Sequence, residues 1–336
     1  MKCPAMAELP PPPPGKTGWP WTEDGVPSSV SLAAGFVWPR ISIVTPSFNQ
    51  GCFIEETIRS VLLQGCPDLE YIVIDGGSTD DSVAVIRKYA PWISYWVSEK
   101  DRGQSHALNK GLERVTGPVF GWLNSDDFYL PGALARAVDL RARHPSAVGW
   151  AGATQVIDAA GKPTYILDTK VGGATDLAEW AHKAFIPQPS CLFSAEHVRR
   201  TGGLNEKLHY TMDIELLIKL AGFGEFAAMP DVITCFRLYA GSKTGEESPG
   251  SLVEMVATDF NLGMRKAAEN LLRQRMAGAT GLAMDRLSMA SRCQLMDVVN
   301  YRDLARYVVW RLARNIRVRV CRGSRTTGGG ARTALS

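Results

Sequence analysis

Several things are scarce in this chain, and each scarcity narrows what it can be. The seven cysteines (Cys3, Cys52, Cys66, Cys191, Cys235, Cys293 and Cys321) are scattered and odd in number, with no Cys-x-x-Cys and no Cys/His cluster. That spacing offers neither a zinc site nor a disulfide framework, and it suits a reducing cytoplasm. No apolar run reaches the ~18 residues a membrane span requires. After Lys2 the chain runs into prolines rather than the apolar segment of a secretory signal. Neither sign of charge dominates: 37 Lys and Arg stand against 34 Asp and Glu, a net charge of +3, so no nucleic-acid partner is required. Gly-x-Gly-x-x-Gly does not follow the first strand, which argues against a dinucleotide-binding dehydrogenase.

What is present is enough chain, 336 residues, to bury a sizeable core in one large or two modest domains. Residues 1–39 hold a proline run, Pro10 to Pro14, and read as an extended, poorly ordered arm that Trp19, Trp21 and Trp38 can pin to the body. From residue 40 short apolar strands alternate with helices. Strands are expected at Ile41–Thr45, Tyr71–Ile74, Ile93–Val97 and Val119–Leu123. Helices are expected at Phe53–Leu63, after Ser78 or Thr79, and at Ser105–Val115. Alternation of this kind implies a parallel sheet with helices on its faces, an α/β fold. Beyond it, Ala133–Arg143 and Asp213–Leu220 read as helices, and Val148–Ile157, Pro163–Leu167 and Ser190–Phe193 as strands. The segment 246–325 reads as a helical extension. Its end, residues 302–325, carries eight arginines against one acid, with Tyr307, Trp310, Leu312 and Ile316 interleaved. Such a basic amphipathic segment suits peripheral contact with an anionic membrane. The Gly-rich residues 326–336 read as a disordered tail.

In an open parallel sheet, ligands bind beyond the carboxyl ends of the strands. Polar clusters fall at such ends: Ser47-Phe48-Asn49, Asp75-Gly76-Gly77-Ser78 and Asn124-Ser125-Asp126-Asp127. Asp75 can accept a hydrogen bond from a uracil imide or a ribose hydroxyl, and Gly76 permits close approach of backbone to ligand. The Asp126–Asp127 pair suits a hard divalent cation, Mg²⁺ or Mn²⁺, able to neutralise a diphosphate.

Together with Asp101-Arg102-Gly103-Gln104 and Ala107-Leu108-Asn109-Lys110-Gly111, these segments resemble the family 2 glycosyltransferases over residues 41–244. The resemblance implies a GT-A fold over residues 40–245, with a mainly parallel Rossmann-like sheet. It also implies a nucleotide-sugar donor, a divalent metal, and inversion at the anomeric carbon during transfer to a saccharide or glycolipid hydroxyl, as in cell-surface polysaccharide synthesis. On that likeness Pro46, Phe48, Asn49, Asp75 and Gly76 hold the nucleotide, and Asp101, Gln104 and Asn109 border its sugar and diphosphate. Asn124 takes the first place of an Asp-x-Asp motif, Asp126 is the metal ligand, and Asp127 contacts ribose, metal or acceptor. Asp213, within Tyr210-Thr211-Met212-Asp213, matches the catalytic base, with Glu215 as second choice. Arg237 or Lys243 supplies positive charge to the leaving group, and residues 240–248 form a lid. Arg102 and Lys110 are further phosphate candidates, Trp122 and Trp180 are sugar-stacking candidates, and Gln188 is an acceptor contact. The sequence departs from the family pattern at His106, Met212 and Tyr239, the last standing in a His place. A nucleotidyltransferase and a non-catalytic sugar-nucleotide module are the competing expectations. The protein is expected in the cytoplasm, on the inner face of the membrane if the basic segment binds lipid.

Overall fold

The structure, a computed structural model, describes residues 2–23, 37–180, 183–245, 249–268 and 270–271. The basic segment 302–325 and the tail 326–336 lie outside the described residues.

In chain order the elements are β1 (Ile41–Ser47), α1 (Ile54–Leu62), β2 (Leu69–Asp75), α2 (Ser82–Tyr89), β3 (Tyr95–Ser98), α3 (Gln104–Arg114), β4 (Val119–Trp122), β5 (Phe128–Tyr129) and α4 (Ala133–Arg143). There follow β6 (Gly149–Ile157), β7 (Pro163–Leu167), α5 (Ala174–Ala178), β8 (Cys191–Ser194), α6 (Ala195–Arg200), α7 (Met212–Ala221), β9 (Phe226–Arg237) and α8 (Pro249–Asn261). One sheet runs β3-β2-β1-β4-β8-β6-β9-β5, with β7 beside β6. Its first half is parallel, β2 and β4 flanking β1. β8 then runs antiparallel to both β4 and β6, so the sheet is mixed.

Alternation along the central strands sorts their side chains onto two cores. Ile41 and Ile43 of β1, with Tyr71 and Val73 of β2, face α1, α2 and α4 through Ile58, Leu62, Ile86 and Val138. Val44, Ile72 and Ile74 face α3 and α7 through Leu108, Leu112, Leu216 and Leu220. These strands are apolar throughout because both faces are covered. Each fully buried Ile or Leu contributes about 1.5–3 kcal/mol. Gly111 of α3 lies so close to Val44 that any side chain there would overlap it. The order of strand addition reverses at β1, with β2 on one side and β4 on the other. That arrangement makes the carboxyl ends of β1, β2 and β4 one crevice.

The structure corrects the sequence reading in three places. β9 was not expected, because Pro230 interrupts its pattern and prolines rarely occupy inner strands. Shifts in register against β6 between Ala151 and Thr154 accommodate it. Ser78 and Thr79 do not cap α2. They tie the turn after β2 to Asn49, while Asp80 accepts from the Ser82 amide at 3.0 Å. Residues 2–23 are not a loose arm. Cys3, Leu9 and Trp21 are buried, and Trp19 donates its indole N–H to the Tyr129 carbonyl at 2.8 Å.

The cause is a buried cation. Arg59 of α1, 1 % exposed, donates to the carbonyls of Pro10, Pro20 and Trp21 at 2.9–3.1 Å and to the Tyr89 hydroxyl at 3.1 Å. Prolines leave carbonyls without a matching N–H of their own, and a guanidinium fork can collect several at once. No helix among the described residues is long and apolar enough to cross a membrane.

Arg59→Leu leaves three carbonyls of the arm without a donor, and each buried orphan costs about 1–3 kcal/mol. Urea unfolding should show a loss of about 3 kcal/mol or more, with faster proteolytic clipping within residues 2–23.

Candidate active site

The floor of the crevice is made by the turns after β1 and β2. Asn49 adopts φ +52°, a left-handed conformation that Asn tolerates better than most residues. Its side-chain oxygen accepts from the Thr79 amide at 2.9 Å, and its own amide donates to the Ser78 hydroxyl at 2.8 Å. The two turns are thereby stitched together, and Phe48 is left 60 % exposed at the rim.

Asp75 lies beneath this floor. Its carboxylate accepts from the Gly77 and Ser78 amides and from the Ser78 and Ser98 hydroxyls at 2.5–3.1 Å, and the residue is fully buried. The expectation that it meets a base or ribose is corrected: its oxygens are taken up in shaping the turn. A Cβ at Gly76 would sit 2.6 Å from a carboxylate oxygen of Asp101, so any larger residue would displace that side chain. Asp101 itself accepts from the Gly103 amide at 2.8 Å.

The wall is the turn after β4. Asp127 is wholly buried and accepts from the Arg237 amide at 2.9 Å, so it cannot reach a ribose or an acceptor. Burial and the neighbouring charge of Asp126 push its carboxyl well above the usual carboxylate range. Asn124 turns its side-chain oxygen to two donors, the Trp122 indole and the Gln104 amide, each at 2.7 Å. It is therefore not a free oxygen ligand. Asp126 is left as the half-buried carboxylate of this turn, its pKa raised by burial. Tyr239 donates to it at 3.2 Å and bonds Gln50 through the same hydroxyl.

Arg237 does not face the crevice. Its guanidinium is 3 % exposed, pairs with Glu56 at 2.6 Å, and donates to the Asp126, Asp158 and Ala159 carbonyls. It braces the acidic turn and is not a leaving-group cation. Asn109 likewise holds the loop at Leu204, donating to its carbonyl and accepting from its amide at 2.9 Å each. Arg102 and Lys110 are paired with Glu206 and Glu99. Trp122 is 2 % exposed, Trp180 packs on Phe185, and Gln188 is buried against the Trp122 carbonyl, so none offers a free face in the crevice. His106 accepts from the Arg102 amide at 3.2 Å, a local bond within the loop.

Lys243 is the cation that does enter. Its ammonium donates to the Gln104 side chain at 2.8 Å and to the His209 carbonyl at 3.2 Å. Loss of water lowers its pKa, while Glu254, Asp213, Asp101 and Asp126 raise it. Those carboxylates come from four separate stretches of chain, and the fields of all four act on the one ammonium. Asp213 is in the first turn of α7. Burial of its carboxyl pushes it up to about 6, against the pull of Lys243 and the Ile214 amide. Glu215 points elsewhere, to Asn205 and Lys219.

No local motif signals Glu254, which accepts from the backbone just ahead of Asp213, or the brace formed by Arg237. Both depend on contacts between distant segments.

The donor set can be tested for a divalent ion. Among the described residues no cluster of three or more metal-ligating side chains occurs. Mg²⁺ and its kin ordinarily use one or two carboxylates and complete their shell with substrate phosphates and water. Asp126 alone, a half-buried carboxylate at the carboxyl end of β4, fits that arrangement.

A mixed sheet with acidic turns at the carboxyl ends of its parallel strands defines the GT-A glycosyltransferases. The structure is similar to that of Staphylococcus aureus TarS (residues 1–349) in complex with UDP-GlcNAc, with a TM-score of 0.58 at 14 % identity over 77 % of this chain and 79 % of that one. The sequence model described as Glycosyl transferase family 2 matches residues 42–195. An uncharacterized glycosyltransferase of Mycobacterium tuberculosis is 31 % identical over 189 residues, 54 % of this chain and 69 % of the relative. The chondroitin synthase of Escherichia coli is 28 % identical over 191 residues, of which the match spans 27 % of the relative. The chain belongs to glycosyl transferase family 2 and is a glycosyltransferase with a GT-A fold.

Arg237→Met strips Glu56 of its buried partner, and breaking a buried pair costs about 3–5 kcal/mol. Urea denaturation should show a loss of that size. A variant as stable as the parent would mean that the brace contributes nothing.

Proposed function

We propose that the chain transfers a sugar from a nucleoside diphosphate, UDP as the simplest candidate, to a hydroxyl of a saccharide or glycolipid, with inversion at the anomeric carbon. The observation that carries this reading is the Lys243 ammonium bonded to Gln104, whose amide reaches Asn124 at the end of β4, within the fields of the Asp101, Asp126 and Asp213 carboxylates. An inverting displacement needs a base on the acceptor side and positive charge on the leaving side. Asp213, with a pKa near 6, is ionised at neutral pH and basic enough to take a proton. Lys243 is positioned to meet the charge that builds on the diphosphate. The stitched turns at Asn49 and Ser78, with exposed Phe48, form the surface on which a base and ribose would rest. Pro46 and Gly76 shape that surface through backbone alone.

A divalent cation bound at Asp126 would neutralise the diphosphate. Residues of this chain would do the remainder. Asp101 and Gln104 line the sugar and diphosphate region, Tyr239 orients the Asp126 carboxylate, and the loop at 240–245 carries Lys243 over the donor. An acceptor destined for a cell-surface polysaccharide is supported by the names of the relatives, chondroitin synthase and a Bacillus subtilis protein called a putative teichuronic acid biosynthesis glycosyltransferase. The arginine and aromatic pattern of residues 302–325 supports peripheral contact with the inner face of a membrane.

A panel of nucleotide sugars, assayed for nucleotide release and transfer with and without Mn²⁺, tests the reading. Asp126→Ala should abolish metal-stimulated turnover. Asp213→Asn should bind donor as the parent does and lower transfer by about 10³-fold or more, in the range general-base catalysis supplies.

The pH dependence has a definite sign. The base works only when deprotonated, so kcat/KM, which reports the free enzyme, should be level above the Asp213 pKa of about 6 and fall about tenfold per pH unit below it. A profile level down to pH 4 would remove Asp213 from the role.

A further inference from the structure

We propose that Glu254 of α8 is a positioning residue for Asp213, acting through the turn that opens α7. The proposal rests on the reading of Asp213 as the base. Glu254 Oε1 accepts from the His209 amide at 2.7 Å, and Oε2 accepts from the Tyr210 amide at 2.5 Å and the Thr211 amide at 2.8 Å. Three consecutive backbone N–H groups thus converge on one carboxylate, immediately ahead of the helix that carries Asp213 in its first turn. Bonds of this charge-assisted type are roughly twice as strong as neutral ones.

The helix does not hold this turn itself. Thr211 occupies the N-cap position, yet its side chain makes no capping bond. Its hydroxyl is directed at α8 instead, to Glu254 at 3.2 Å and Thr258 at 3.3 Å. The geometry of the α7 N-terminus is therefore imposed by a helix that follows it by more than thirty residues and lies outside the matched region 42–195. A catalytic carboxylate misplaced by about 1 Å can lose on the order of 100-fold in rate, so an external clamp at this point bears on turnover.

Glu254 also bears on Asp213 by its charge. The charged groups facing that carboxyl are Lys243, from the loop after β9, which lowers its pKa, and Glu254, from α8, which raises it. His209, in the turn, is held toward its neutral form by burial and Lys243. Glu215, on α7 itself, is turned away to Lys219. Asp101 and Asp126 act on Lys243, and neither is among the groups that shift Asp213.

The test uses the full chain as Glu254→Gln, which keeps one acceptor and the side-chain shape, and Glu254→Ala. The readouts are donor KM, kcat, the pH profile of kcat/KM, and amide hydrogen exchange at residues 209–211. Expected are a kcat about 10-fold lower for Gln and about 100-fold lower for Ala, with donor KM within about twofold. The acid limb should move to lower pH in both, because a negative charge facing Asp213 is gone, and the three amides should exchange faster. Faster exchange with kcat and acid limb unchanged would reduce Glu254 to a structural cap and overturn the proposal, as would exchange that does not change. A parent protein that transfers no sugar would overturn the catalytic reading beneath it. That failure is distinguishable, because the exchange effect at residues 209–211 would persist.

Discussion

The site depends on one buried cation, Arg237, at the end of the last strand. Its backbone N–H holds the Asp127 carboxylate, its guanidinium holds the Asp126 carbonyl, and Glu56 from α1 balances its charge. Two adjacent carboxylates repel, and burying both without a partner is prohibitively costly. The fold resolves this by sinking Asp127 against a strand end and leaving Asp126 in the crevice. The side chain that resembles a phosphate ligand in sequence is thus the scaffold for the one that can act. The arm of residues 2–23 follows the same logic at Arg59 of α1, which gathers the carbonyls of Pro10, Pro20 and Trp21.

The crevice at Lys243 is acidic, with Glu254, Asp213, Asp101 and Asp126 all acting on its ammonium. Before a donor arrives, that ammonium stands among carboxylates and bonds Gln104 and the His209 carbonyl. A diphosphate entering the crevice would meet both a positive charge and a carboxylate suited to a divalent ion, so anionic substrate and cation would bind with mutual support. Asp213 acts on the same ammonium. Its raised pKa has a physical origin in removal from water, only partly offset by Lys243.

Much of this was legible in the sequence, and the parts that were not share a cause. The parallel half of the sheet could be read because Ile41–Val44 and Tyr71–Ile74 are apolar on both faces, a signal carried within each strand. The acidic turn at Asp126 and the base candidate Asp213 could be read because each sits in a local pattern at an element boundary. Whether an acidic or amide side chain faces the crevice could not be read. Asp75 and Asn124 are of the right type at the right turn, yet neighbouring N–H and O–H donors claim them. β9 was hidden because Pro230 breaks its alternation and only pairing with β6 restores it. Arg237 and Glu254 were misjudged or unseen because their partners lie far away along the chain. Hydrogen bonds that decide orientation are set by tertiary contacts, and those leave no trace in local spacing.

The most direct measurement is a crystal structure of the chain with a nucleoside diphosphate and Mn²⁺. The account predicts the base and ribose over the joined turns at Asn49 and Ser78, with the diphosphate between Asp126 and the Lys243 ammonium and the Asp213 carboxylate open to the acceptor side. A nucleotide bound away from the carboxyl ends of β1, β2 and β4, or a diphosphate touching neither Asp126 nor Lys243, would contradict it.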